Sequence, residues 1–565
     1  MGPDKDLQRL LFAVSGRNVN RRELLKRGAA IGLGASALAA GLSSLTGPRR
    51  ADALGLNALL QTQATPADYS KGVKGGTLRV ANIGEPPTLD VHTTTTIASV
   101  IGFCNFEALF TYDSKYNSVP DLAESHSVSE DGLTQTIKLR QNVPFQNGEI
   151  MKADDVIASI TRWATFSGVG KKLMDATNEL AKVDDYTVEF RLKEPYGTIP
   201  IALSHNSQSC VIMPKSVLDK VGDKAISDNS MLIGTGPYKL QEWKPDAYIR
   251  YVRFDDYAPR EDPVNGYAGK KYAFADQIDF IPVPDEAARV AGLQAGDYDL
   301  AVDIGNDQYE TLKDSQGVIA EILPPTNWDV MFCNWQSPIM SKLPMRQALQ
   351  SLFNMEPMLI SGRGGGDFIQ LEAALMKKGT PFYTEAGSDH YNLNDPNAAK
   401  QKLQEAGYDG EPIRFMTTQE YSYMYGEAVV AKQQMESIGM KIDFRVTDWA
   451  TVLENRAKKD AWELFITGHG YVPDPSQITF IGQMNIYPGW WDNPDSLKLG
   501  AELLSESDQA KRVEIWQQLQ TNAYTQIPAL KIGDSSNCSF RSDKIGGWTD
   551  QIDRGIPYWN LWINK

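Results

Sequence analysis

The chain has 565 residues, 42% hydrophobic and 10% aromatic, the balance of a packed globular protein rather than a disordered one. Its formal charge at pH 7 is −15; residues 1–53 carry nine Lys/Arg against four Asp/Glu, so the remaining 512 residues stand at −20. Such acidity argues against nucleic acid as a partner, since phosphate binding needs clustered positive charge, and the length predicts two or three domains.

In chain order, Asn20-Arg21-Arg22-Glu23-Leu24-Leu25-Lys26 precedes a mild apolar run over 29–45, followed by Ala51-Asp52-Ala53. Paired Arg21 and Arg22, an uncharged Gly/Ala/Ser-rich segment and an A-x-A tripeptide form the layout of a twin-arginine signal peptide over 1–53, with cleavage expected after Ala53. The run is shorter than the ~20 strongly apolar residues that a spanning helix needs. The expected location is therefore the periplasm or the outer face of the cytoplasmic membrane, with the twin-arginine translocase as the partner during export. Residues 54–74, polar and small, read as a flexible linker.

Leu78 and Val80 alternate with polar neighbours and predict a strand, as do Thr134 to Leu139 and Thr187 to Leu192. Asp154-Asp155-Val156 opens a helix reaching about Trp163, with two carboxylates near the positive end of its dipole. A helix starts at Pro344-Met345 with Leu349, Leu352 and Phe353 on one face. Asp395-Pro396 caps another that Gly407 ends. Ala428, Ala431, Met435 and Ile438 recur at helical spacing, and Ile442, Phe444 and Val446 then alternate as a strand. Helices and strands intermix throughout, which predicts an α/β fold.

Catalytic and metal signatures are absent. There is no H-E-x-x-H, G-x-S-x-G or Walker motif, and Gly362-Arg363-Gly364-Gly365-Gly366 lacks the Lys-Ser/Thr of a phosphate loop. The histidines show no ligand spacing, so no metal and no cofactor is expected. Cys104, Cys210, Cys333 and Cys538 are too far apart for a C-x-x-C site, which leaves either a long-range disulfide or buried thiols.

A series of short motifs is more specific. Gly76-Thr77-Leu78-Arg79-Val80 is followed by Pro87-Thr88-Leu89-Asp90, Phe106-Glu107-Ala108-Leu109 and Pro120-Asp121-Leu122-Ala123-Glu124-Ser125. Then come Leu139-Arg140 to Asn147-Gly148 with Ala153-Asp154-Asp155-Val156, Gly234-Thr235-Gly236-Pro237-Tyr238, Met345-Arg346-Gln347-Ala348-Leu349, Asp395-Pro396 and Asp474-Pro475. In this order they resemble the extracytoplasmic solute-binding proteins of the peptide/nickel class, which serve ABC importers. The resemblance implies a two-lobed Venus flytrap of the periplasmic-binding-protein type II-like kind with an extra N-terminal subdomain. The first lobe would comprise 75–115, 236–322 and 526–565, the subdomain 116–235, and the second lobe 323–525. It also implies a non-catalytic monomer, with an ABC permease and its ATPase as partners.

The ligand is read from departures from the family pattern. Dipeptide binders of the class hold the peptide amine with an Asp three residues after a Trp, ahead of Asp-Pro. Here Tyr471 stands at that Asp and Gly468 at that Trp, and no arginine lies near Gln419-Glu420-Tyr421 to clamp a carboxylate. Trp449 matches a pocket tryptophan of the class, and Asn334 matches an "FN" segment between the lobes. The candidate ligand contacts are Trp449, His469, Gly470, Tyr471, Asn334, Trp335, Tyr421, Tyr423 and Trp490, an aromatic and neutral-polar set. Asp474 reads instead as a turn-shaping residue. An oligopeptide or peptide-like solute is expected, with a neutral oligosaccharide as the alternative on the same scaffold and an exported hydrolase as the alternative of another class.

Overall fold

The computed structural model describes residues 67–94, 101–204, 208–549 and 555–564. The signal with Arg21 and Arg22, its cleavage site and the linker up to residue 66 lie outside the described residues. From 67 to 74 the expected linker is anchored rather than free. Tyr69 stacks on Tyr272 at 5.4 Å between ring centroids and meets the edge of Trp562 at 6.3 Å. One aromatic among small polar residues is enough to tie the segment down.

Alternating apolar residues build the first sheet. Thr77–Asn82 buries Leu78 and Val80 and pairs in parallel with Gln277–Pro282 on one side and Leu300–Ala301 on the other. The hairpin Tyr238–Lys244 and Tyr248–Arg253 extends one edge. At the other edge, Cys538–Ser542 inserts between Leu300–Ala301 and Val318–Ile322, giving seven strands.

The second sheet has six strands in the order Ile369–Gln370, Ala529–Ser535, Asn327–Cys333, Leu464–Gly470, Ile413–Thr417 and Ile442–Val446. Period 2 sorts its central strand onto two cores. Met331 and Cys333 face helices Leu343–Leu352, Met355–Arg363 and Ser422–Ser437. Trp328, Val330 and Phe332 face a second cluster that includes Trp516 and Leu519 of the helix Gln509–Gln526.

A separate four-stranded antiparallel sheet, Ala123–Val128, Thr134–Leu139, Thr187–Leu192 and Thr177–Asp184, packs on the helix Ala153–Phe166. The Asp155 side chain closes that helix start by accepting the Lys152 amide at 2.8 Å.

Two segments cross between the first and second sheets, 323–326 and 536–537. They are bonded to each other, Leu323 N to Asn537 O at 2.9 Å and Thr326 N to Ser535 O at 3.3 Å. The Asn306 amide clips the second crossing by donating to Ser536 O at 2.8 Å and accepting from Cys538 N at 3.1 Å. The return to the first lobe thus begins at 536, not at 526 as expected. Ala529–Ser535 is hydrogen-bonded along Asn327–Cys333, and its Leu530 and Ile532 fill the second lobe's core.

Buried charges join motifs that are distant in sequence. Glu107 accepts from Lys271 Nζ at 2.6 Å, Tyr257 Oη at 2.7 Å and Thr235 Oγ1 at 3.0 Å, while Lys271 also reaches Asp121 at 3.1 Å. Asp90 receives two bonds from Arg162, at 3.1 and 2.6 Å. Arg162 also donates to His92 Nδ1 at 3.0 Å, and His92 Nε2 donates to Val211 O at 2.8 Å. All four cysteines are unbridged, three of them buried as thiols. Among the described residues, no helix is long and apolar enough to cross a membrane, and no cluster of His, Cys, Asp and Glu is arranged to hold a metal.

Candidate functional site

In both large sheets the carboxyl ends of the parallel strands point toward the two crossings. In the first these ends are Asn82, Pro282, Ala301 and Ile322; in the second they are Thr417, Val446 and Gly470, beside Asn327. Loops at such ends are where open α/β sheets receive ligands. The cleft therefore lies between these facing edges.

On the second lobe's edge three of the expected aromatics assemble. Tyr421, 43% exposed, meets Trp449 at 5.1 Å and Tyr423 at 6.3 Å, both edge-on. Trp449 opens the helix Trp449–Arg456, whose start is fixed by the Asp448 carboxylate accepting the Thr451 amide at 2.9 Å. Tyr423 is braced from below: its hydroxyl accepts Gly468 N at 3.0 Å, and the Arg363 guanidinium lies 3.5 Å over its ring. Arg363 in turn grips Asp329, with Nε to Oδ2 at 2.8 Å. Beside them Glu427 is sealed from water, and burial followed by the nearby Asp329 charge pushes its carboxyl well above the usual range. Burial thus weighs against the charged form of Glu427, and the Arg363–Asp329 pair lies beside it beneath the aromatics.

The segment 468–471 supplies the next part of the edge. Gly470 is exposed and open. His469 is not presented to the cleft as expected. Its ring packs on Trp328 at 5.1 Å and Phe332 at 5.8 Å, Nε2 is shut off from solvent, and burial lowers its pKa to about 4. Tyr471 is buried and acts as a strut: its hydroxyl donates to Asp534 at 2.7 Å and accepts from Lys531 at 3.1 Å, while Lys531 pairs with Asp534 at 2.7 Å.

Sequence reading missed this Lys531–Asp534 pair because strand alternation puts residues three apart on opposite faces. A register shift against Asp329/Val330 skips Ile532, and this bulge brings both side chains to one face. Asp329, Arg363 and Glu427 were missed for a different reason: each lies on its own element, with no local spacing to announce the group.

Asn334, Trp335 and Trp490 are not in the cleft. They lie past the Cys333 end of the central strand, which a rise of ~3.3 Å per residue puts roughly 25 Å from the crossing at Thr326. Asn334 locks a loop there by donating to Lys459 O at 2.9 Å and Trp462 O at 2.8 Å. Trp335 is covered by the Arg346 guanidinium at 4.0 Å, and Trp490 packs on Trp462 at 6.0 Å. Asp474 is buried against Arg512, at 2.5 and 3.0 Å, and fixes the loop that leaves Tyr471.

Opposite that loop stands the small subdomain. Gly197 N donates to Leu504 O at 2.8 Å, and Lys172 Nζ to Gly482 O at 3.0 Å. The Lys377 ammonium lies 5.4 Å over the ring of Tyr116, which packs in the first lobe's core although the subdomain was expected to begin there. These contacts set the subdomain against the second lobe, and between them, lined by Val169, Ile201, Val472 and Ile486 among others, lies a half-open groove of about 460 Å³.

Two lobes joined by a double crossing, with the loops at their strand ends beside it, are the plan of a hinged binding protein. The chain belongs to the bacterial extracellular solute-binding proteins, family 5, whose model matches residues 117–485. It is 27% identical over 489 residues to a probable peptide ABC transporter periplasmic-binding protein, y4tO, of Sinorhizobium fredii, covering 83% of this chain and 90% of that one. It is 25% identical over 478 residues to the oligopeptide-binding protein AppA of Bacillus subtilis, covering 80% and 84%. The structure of AppA with a nonapeptide superposes with a TM-score of 0.70 at 22% identity over 88% of this chain and all of that one.

Proposed function

We propose that this protein is the exported binding component of an ABC importer, closing its lobes on a short peptide and delivering it to the permease and ATPase. The observation that carries the reading is the chemistry of the second lobe's edge. Aromatic rings and backbone face the cleft, while the ionised groups beneath are already paired, Arg363 with Asp329 and Lys531 with Asp534. Such a surface recognises uncharged backbone and side chains; the Arg363 guanidinium and the Lys531 ammonium are already paired and so are not free to hold a peptide carboxylate, which would otherwise need a buried partner. The relatives' names support a peptide over a sugar. The reading includes export through the twin-arginine translocase, removal of residues 1–53, and action as a monomer without cofactor or catalysis.

Calorimetry against peptide and neutral oligosaccharide panels tests it. Binding of peptides without turnover is expected, and peptides acetylated and amidated at their ends should bind within about threefold of free ones, a difference under 1 kcal/mol. Binding of an oligosaccharide and no peptide, or hydrolysis by the pure protein, would overturn the reading.

A further inference from the structure

Beneath the second lobe's aromatic edge, Glu427 sits where an ionisable side chain is least expected. It stands one turn beyond Tyr423 on the helix Ser422–Ser437, so both side chains leave the same face. Glu427 is 0% exposed, and neither of its carboxyl oxygens has a hydrogen-bond partner among the described residues. Packing holds it there. A Cβ on Gly362 would lie 2.7 Å from Glu427 Cγ, and one on Gly426 would lie 2.3 Å from Ser361 O. The helices Met355–Arg363 and Ser422–Ser437 thus meet through glycines, with the acid pinned between them.

Asp329, Arg363 and Tyr423 are the titratable groups that face it. Arg363 commits Nε and Nη2 to Asp329, at 2.8 and 2.5 Å, while its guanidinium carbon stays 3.5 Å over the Tyr423 ring. A second carboxylate beside this pair would be buried without a cation of its own. Ionised, Glu427 would compete with Asp329 for Arg363 and draw the guanidinium away from Tyr423, whose hydroxyl accepts Gly468 N. Uncharged, it leaves both contacts alone.

We propose that Glu427 is a positioning residue for the ligand edge: as an uncharged acid it leaves Arg363 wholly to Asp329, keeps Tyr423 seated, and ties the grip on the ligand to one bound proton. The proposal rests on the peptide reading above and deepens it. A ligand that favours the seated edge favours the proton too, so the complex takes up a proton wherever the free protein has lost it.

Three measurements compare wild type with Glu427→Gln, an uncharged side chain of the same shape. In the unfolded chain a glutamate ionises at about 4.3, while the folded one keeps its proton, so stability falls as pH rises. By urea denaturation between pH 5.5 and 7.5, the wild-type folding constant should drop about tenfold per pH unit against that of the variant. Exchange of the Gly468 amide, corrected for its intrinsic rate, should quicken above pH 8 in wild type and not in the variant. Affinity for an acetylated and amidated pentapeptide of alanine, which has no titrating ends, should match within about twofold at pH 6.5 and then fall about tenfold by pH 9 in wild type alone. Glu427→Met, also uncharged, should repeat the stability trend. A flat stability ratio, or failure of both variants to fold, overturns the bound proton and the proposal with it. Exchange and affinity that change alike in wild type and the Gln variant overturn the positioning role. Wild-type protein that binds no pentapeptide overturns the peptide reading, while the stability ratio and Gly468 exchange still decide the role of Glu427.

Discussion

Lys271 is 3% exposed and holds two carboxylates that belong to different sequence motifs, Glu107 and Asp121. Replacing it by Met would leave both acids buried without a cation, a loss of about 3–5 kcal/mol by the usual cost of breaking a buried pair. Urea denaturation of Lys271→Met against wild type measures it. The motif residues Glu107, Asp121 and Thr235 were legible in the sequence as a pattern, but Lys271, which explains why they recur together, belongs to no motif. The aromatic candidates divide in the same way. Trp449→Ala should weaken peptide binding by about 2 kcal/mol, the size of an interface anchor. Trp490→Ala should leave the dissociation constant alone and lower the melting temperature, because that ring packs at the far end of the sheet. Composition marked both as aromatic; only the strand direction separates them.

At the scale of elements, the contact of the subdomain with the second lobe depends on one residue without a side chain. A Cβ on Gly197 would lie 1.8 Å from Glu506 O and 2.4 Å from its carbonyl carbon, against backbone that cannot rotate away. Gly197→Ala should therefore hold the lobes apart, weakening ligand binding and enlarging the radius of gyration of the peptide-saturated protein by small-angle scattering. An unchanged radius would show that the bridge to Leu504 is dispensable. Most strands and helices were readable from alternation and caps, including Asp395 before the helix Pro396–Glu405, whose carboxylate accepts the Asn397 and Ala398 amides. The resemblance puts the strand Ala529–Ser535 in the first lobe, since ordered motifs carry no lobe boundary to within a strand, and its pairing along Asn327–Cys333 puts it in the second.

For the molecule as a whole, acid is the revealing variable. His92 is fully buried, and burial, reinforced by Arg162 against the opposing pull of Asp90, lowers its pKa to about 4 from an ordinary 6.5. A native pKa below the unfolded one means the unfolded chain takes up a proton first as pH falls through 6.5. The stability this supplies is intact above 6.5 and is lost progressively down to about 4, a cost of a few kcal/mol. Scanning calorimetry from pH 7.5 to 4.5 should show a falling melting temperature, and His92→Gln should flatten that fall. The two-lobed plan was legible through ordered motifs, whereas the closeness of the lobes was not, since no residue pattern encodes an angle between bodies.

The place of Cys538–Ser542 in the first sheet carries a consequence in time. This strand separates Leu300–Ala301 from Val318–Ile322, so Leu300–Ala301 has only Thr77–Asn82 beside it and Val318–Ile322 has no sheet partner until the ribosome has passed residue 542. The second lobe, by contrast, has all its strands by residue 535. During synthesis the inner lobe can be finished while the outer one still waits, its sheet open along one edge and exposed to wrong pairing. A chain stopped after Ser535 should thus yield a protease-resistant core from the second lobe and a degraded first lobe. Whatever carries this protein out of the cell, its first lobe is the last part to become itself.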